Sequence, residues 1–301
     1  MAHRILSLDR VVRGPSFLRR HLQTVRVIRR SPRIAIGLSM VLVFLLVAVL
    51  APWISPYDPI KINLRAKYTS PSATYWLGTD NVGRDVLSRL IWGTRVSLAT
   101  AVLSIVFAVI MGGLIGVAAG FFGGKLDTLL CGFIDILLAL PAFILAIILM
   151  GVLGRGFMSM IFSIGIGMAP RIARLVRGST LVVKEREFVE AARSIGYGDW
   201  RIICRHILPH CLTPVVVYST VLLGSAVMLE AGLSFLGLGM APPTPSWGQM
   251  VTEGAAVMRT IPWIVTTAGS LIVILVLAFN LLGDGLRDHL DPSLRGEKFR
   301  E

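Results

Sequence analysis

The chain has 301 residues, a mean hydropathy of +0.75, and 54 % hydrophobic against 16 % charged residues. Soluble domains run nearer ~25 % charged, so a soluble fold is excluded and the chain reads as an all-α, polytopic membrane protein. The net charge of +13 would suggest nucleic acid in a soluble chain. Here the charges lie between apolar runs, so they report membrane orientation and no nucleic-acid partner is expected.

Residues 1–33 carry nine arginines and one acid and read as a basic cytosolic leader. Residues 34–54 follow without a charge, 21 residues in all, enough for a helix to cross ~30 Å of hydrocarbon. A cleaved signal peptide is the rival, with Ala48 to Ala51 as a weak cleavage site. The long basic leader and the length of the run favour an uncleaved first helix. Residues 55–95 are polar, with Pro56, Pro59 and Pro71, and form an extracytoplasmic segment.

A core of five further crossings is expected over 96–282. The second apolar run is Val96 to Phe122, and Gly123-Gly124 breaks it. The third segment starts amphipathically with Asp127 and Asp135 and runs to Leu153, with a kink expected at Pro141. The fourth, 157–176, is weaker. Its charge-free part ends at Pro170, so it spans only if Arg171 and Arg174 snorkel to the interface. The fifth runs from Thr213 to about Leu238, the sixth from Ile261 to Leu282, and 283–301 is a cytosolic tail.

Six crossings put both ends on one side. With the amino terminus inside, inner segments hold 22 basic residues and outer segments 8, in line with the positive-inside rule. The large loop between the fourth and fifth crossings is then cytosolic, and it holds eight basic residues between Arg171 and Arg205. Cys131, Cys204 and Cys211 lack metal-ligand spacing and read as free thiols.

Within that loop, at 177–212, Phe188, Ala192 and Ile195 recur at helical spacing. Gly196-Tyr197-Gly198 ends this helix, and Asp199 is a candidate N-cap for a second one, with Trp200, Ile203, Ile207 and Cys211 on its apolar face. Pro209 should bend it toward the membrane. Small Ala191 and Ala192 would let a partner approach, and Glu190 offers it a charge. An amphipathic loop that merely rests on lipid fits the same residues.

The residues here resemble a family. Glu190-Ala191-Ala192, then Gly196, then Leu208-Pro209 is similar to the cytoplasmic loop of ABC importer permeases, with His206 where that motif often has Ile. The segment Leu77 to Arg89 (LGTDNVGRDVLSR) resembles the outer segment of dipeptide/oligopeptide permeases of the "C" type. So do Leu233 to Gly239, Pro242 to Gly248 and Phe279 to Asp288. The resemblance implies a type I importer permease fold and an inner-membrane subunit carrying di- or oligopeptides, or a related solute such as glutathione or a nickel chelate. It implies a sister permease in a heterodimer, two cytosolic ATPases and an extracytoplasmic solute-binding protein. ATP and Mg would be bound by the ATPases and no cofactor by this chain. Glu190, Ala191, Ala192, Gly196, Leu208 and Pro209 would couple to the ATPase.

Other candidates carry less. Gly123-Gly124-Lys125 is no phosphate loop, because Ala119 stands where Gly is needed and Leu126 where Ser or Thr is needed. Glu230 in an apolar run is a hydrogen-bond hub or a proton relay, and Asp135 an interfacial acid or the same. Arg171, Arg174 and Arg177 form a stripe that anchors the inner face or meets the ATPase. His206 and His210 are four apart but have no third metal ligand nearby. No nucleophile arrangement supports an enzyme. An ion-driven secondary transporter and a membrane scaffold remain as competing classes, separable by ATP dependence and solute flux. The residues lining the pathway are not legible.

Overall fold

The computed structural model describes residues 31–290. The basic leader up to residue 30 and the tail from 291 lie outside them. Ten α-helices are described: α1 Pro32–Ile54, α2 Val86–Phe122, α3 Gly124–Ala139, α4 Ala142–Leu153, α5 Phe157–Lys184, α6 Glu187–Ser194, α7 Asp199–Ile202, α8 Leu208–Phe235, α9 Trp247–Ala255 and α10 Pro262–Leu290. A π-helical turn, Ile203–Ile207, fuses α7 to α8. Five helical runs are long and apolar enough to cross a membrane, or six when the bent pair α3–α4 counts as one span.

Helix α1 starts with Pro32 in its first turn, where a missing N–H costs nothing. It buries Ile34, Gly37, Phe44, Ala48 and Ala51, with Val41 half-buried between them. That alternating three-and-four spacing is one helical stripe. The opposite side, Leu42, Val43, Leu45, Leu46, Val49 and Leu50, is exposed, as lipid requires.

Helix α2 begins ten residues before the expected Val96. Asp85 caps it, its carboxylate accepting from the Ser88 amide at 2.8 Å. The added turns are polar yet buried, so a hydropathy reading omits them. The Pro141 kink is found, at 92°. The fourth segment is longer and more buried than expected: α5 carries Pro170 inside a 28-residue helix. Its arginines do not simply snorkel. Arg174 pairs with Asp135 at 2.5 Å, and Arg177 makes a two-point contact with Asp127 at 2.6 and 2.7 Å. The two acids of the third segment thus neutralise two arginines of the fourth.

Helices α2 and α5 form the most extensive pair, and glycines explain how. A Cβ at Gly112 would sit 2.5 Å from the Ala169 carbonyl oxygen, and one at Gly116 2.5 Å from that of Ala173. Gly120 meets Thr180 in the same way. This Gly-x3-Gly-x3-Gly stripe brings two backbones together where hydrocarbon offers no hydrophobic drive. Helix α8 packs on both, and α10 joins α8 to α1. Gly123 and Gly124, both with φ near +60°, form the turn between α2 and α3.

Glu230, on α8, is fully buried. It accepts from Ser97 Oγ of α2 at 3.0 Å and from Ser234 Oγ at 2.9 Å. It is a hub joining two helices.

Candidate functional site

The helices of the loop between α5 and α8 form a hairpin built on a Gly turn. Glu187 and Glu190 lie in the first turn of α6, where acids suit the helix dipole. The helix ends in a paired cap: the Gly196 amide donates to the Arg193 carbonyl at 2.9 Å and the Tyr197 amide to the Ala192 carbonyl at 3.0 Å. This Schellman geometry needs a left-handed residue at its pivot, and Gly196 has φ +83°.

The faces differ from expectation. Val189 and Ala192 are buried, while Phe188 and Ile195 are exposed. Ile195 is already the C-cap, outside the helical register that would turn it inward. Ala192 therefore packs into the bundle, and of the two alanines Ala191 is the outward one. The second helix buries Ile202, Ile203, Ile207 and Cys211, while Trp200 is 76 % exposed. The π turn inserts one extra residue and rotates what precedes it by ~100°, so the inward face there shows Ile202 while Trp200 is turned away. Gly198 rather than Asp199 is the N-cap. The bend expected at Pro209 takes the form of this widened turn. Proline lacks an N–H and crowds the carbonyl four residues back, and the π turn spans that carbonyl, Arg205.

The hairpin is fixed to the bundle. Phe188 stacks on His210, centroids 5.1 Å apart, and His210 Nδ1 lies 2.6 Å from the His206 carbonyl oxygen. The Arg193 guanidinium lies over the Phe121 ring at the end of α2. Glu190, Ala191 and Gly196 are exposed on the hairpin, as are Glu187, Arg193, Ile195, Trp200, Leu208 and Pro209. The Glu190 carboxylate has no ion-pair partner among the described residues. Glu190, Ala191 and Gly196 are thus each exposed, and Leu208-Pro209 lies where α7 passes into α8. Among the described residues no group of three His, Cys, Asp or Glu side chains is placed to hold a metal.

At the opposite end of α2, a charge cluster ties the 77–89 segment to α9. Arg84 Nε meets Asp80 Oδ2 at 2.6 Å, and Arg84 Nη2 meets Glu253 Oε2 at 3.2 Å. Arg89 Nη1 contacts both Asp80 and Glu253, the latter at 2.6 Å. Trp247, fully buried, donates to the Leu90 carbonyl at 3.0 Å. Sequence reading missed this cluster. Its one signal was an acid and two arginines at Asp80, Arg84 and Arg89, beside Glu253 far along the chain. The Gly112-Gly116-Gly120 stripe was also missed, although its spacing is visible.

The fold is thus a polytopic helical bundle that presents an exposed helical hairpin to one side. Residues 112–296 match the family of binding-protein-dependent transport system inner membrane components, and residues 22–71 match the N-terminal transmembrane domain of oligopeptide transport permease C. The glutathione transport system permease protein GsiD of Pectobacterium atrosepticum is 40 % identical over 95 % of this chain and 94 % of its own. A Brucella suis relative, named for a peptide transport system, is 43 % identical over 91 % of this chain and 92 % of its own. The fold is shared with the permease of the MetNI methionine ABC transporter in inward-facing form, TM-score 0.55 and 24 % identity over 68 % of this chain and 97 % of that one.

The chain belongs to the family of binding-protein-dependent transport system inner membrane components. It is a multi-pass inner-membrane permease subunit of an ABC importer and not an enzyme. The family implies an ATPase, a binding protein and a sister permease as its partners.

Proposed function

We propose that this chain forms half of the translocation path of an ATP-driven importer of short peptides, paired with one sister permease, two cytosolic ATPases and one extracytoplasmic binding protein. ATP and Mg are bound by the ATPases. Both termini and residue 190 face the cytosol, and residues 55–95 and 240–260 face outward. Glu190, Ala191, Ala192, Gly196, Leu208 and Pro209 form the coupling element.

One observation carries this reading. The exposed hairpin is rigidly capped and continues through the π turn into α8. Force on Glu190 and Ala191 is therefore delivered to a membrane-crossing helix rather than absorbed by a loose loop. Ala192 serves from inside, by seating α6 on the bundle. The oligopeptide-permease match at residues 22–71 supports peptides. The glutathione relative favours a second reading with the same mechanism, in which glutathione is the solute. Uptake by proteoliposomes holding the complete importer separates them. Labelled di- and tripeptides should accumulate, with glutathione competing weakly. Accumulation of glutathione but not of ordinary peptides would replace the substrate.

A further inference from the structure

The outer charge cluster is built unlike a static brace. Arg89 is fully buried, yet only its Nη1 is engaged. Nε and Nη2, the side of the guanidinium that makes two-point contacts with carboxylates, have no acceptor among the described residues. A buried ion network left partly unsatisfied is weak glue, and its best-attested use is to set a register or a switch. The acid contributed by α9 is the most exposed member: the Glu253 side chain is 20 % exposed, against 2 % for Asp80 and none for Arg89.

Helix α9 is also mounted to move. It is reached from α8 through residues 236–246, which include Gly237, Gly239, Pro242, Pro243 and Pro245, and it leaves through a short turn to α10. It rests mainly on α10 and α8. It reaches α2 through the Trp247 indole and the Glu253 carboxylate.

We propose that Glu253 is a releasable latch. Its carboxylate holds α9 on the outer end of α2 while the outer face is closed, and docking of the binding protein frees it. When Glu253 leaves, Asp80 keeps its contacts with both Arg84 and Arg89. Two guanidiniums then share one carboxylate, and the uncompensated positive charge draws Glu253 back when the binding protein departs. Glu253 is thus a positioning residue for the transport cycle. The proposal rests on the importer reading above.

The test uses the complete purified importer and measures ATP hydrolysis per assembled complex, with and without binding protein. E253Q removes the charge and keeps the size. Hydrolysis without binding protein should rise about tenfold, the factor that corresponds to ~1.4 kcal/mol. Stimulation by the binding protein should shrink accordingly. A merely structural role would lower the yield of complex without raising hydrolysis per complex. An assembled E253Q importer with wild-type basal hydrolysis would overturn the latch. Should E253Q fail to assemble, E253D, which keeps the charge but shortens the reach, is read the same way: raised basal hydrolysis supports the latch and wild-type hydrolysis removes it. A wild-type complex without binding-protein-stimulated hydrolysis would instead remove the importer reading.

Discussion

Replacing Gly196 by valine and by asparagine separates conformation from space at the pivot of the hairpin proposed to couple to the ATPase. Gly196 has φ +83°, and a Cβ built there meets nothing within 4 Å. A substitution therefore brings no clash, only the cost of the left-handed backbone. For an ordinary L-residue that cost is about 1–2 kcal/mol, a factor of roughly 5–30 in the population of the capped turn. Asparagine adopts this region far more readily. G196V should thus weaken the amide bonds from Gly196 and Tyr197 to Arg193 and Ala192, while the buried Val189, Ala192 and Ile202 keep the bundle folded. The assay is ATP-dependent uptake per assembled complex, beside the yield of complex. Uptake should fall about fivefold or more in G196V and stay near wild type in G196N, with yields unchanged. Equal damage by both would mean that the partner needs the space rather than the turn. Wild-type uptake in G196V would refute the lever.

Four further outcomes are expected. E190K reverses an exposed hairpin acid that has no ion-pair partner among the described residues, and should lower ATPase co-purification and uptake together while leaving the subunit in the membrane; normal uptake would reduce the hairpin to a solvated surface. G116V forces a side chain against the Ala173 carbonyl and should cost ~1–3 kcal/mol, read as a lower melting temperature of the purified complex, whereas G113V, with nothing within 4 Å, should leave it unchanged. E230Q keeps partners for Ser97 and Ser234 and should preserve uptake, which a proton relay would lose; E230L strands both hydroxyls at ~1–3 kcal/mol each and should lower the melting temperature. R177K replaces the two-point contact with Asp127 by a point charge and should loosen α3 from α5, visible as faster amide exchange in residues 124–139.

What the sequence made legible follows from the physics of each signal. Charge-free runs report hydrocarbon directly, so α1, the body of α2 and the 92° break at Pro141 were readable. The first turns of α2 were not, because Arg89, with Arg84 just before the helix, is paired with Glu253 across 164 residues or more of chain. Polarity there marks burial in an ion cluster, while hydropathy reads it as loop. The weak fourth segment misled because Arg174 and Arg177 are answered by Asp135 and Asp127 on another helix, in pairs that are exposed or half-buried. In the hairpin the Gly turn was legible from composition. The inward face was not, because a π turn before Pro209 shifts the register by one residue, which leaves Ile202 inward and Trp200 exposed. The fold family was legible only because several motifs resembled known permeases together.

The central claim is that this chain moves solute only when cytosolic ATPases drive its hairpin. The most direct measurement is uptake of a labelled short peptide into proteoliposomes holding this chain and its sister permease, with binding protein supplied, and with ATPases and ATP present or omitted. Accumulation only with both ATPases and ATP is predicted, and it should vanish in E190K. Accumulation driven by an imposed ion gradient without the ATPases would contradict the account.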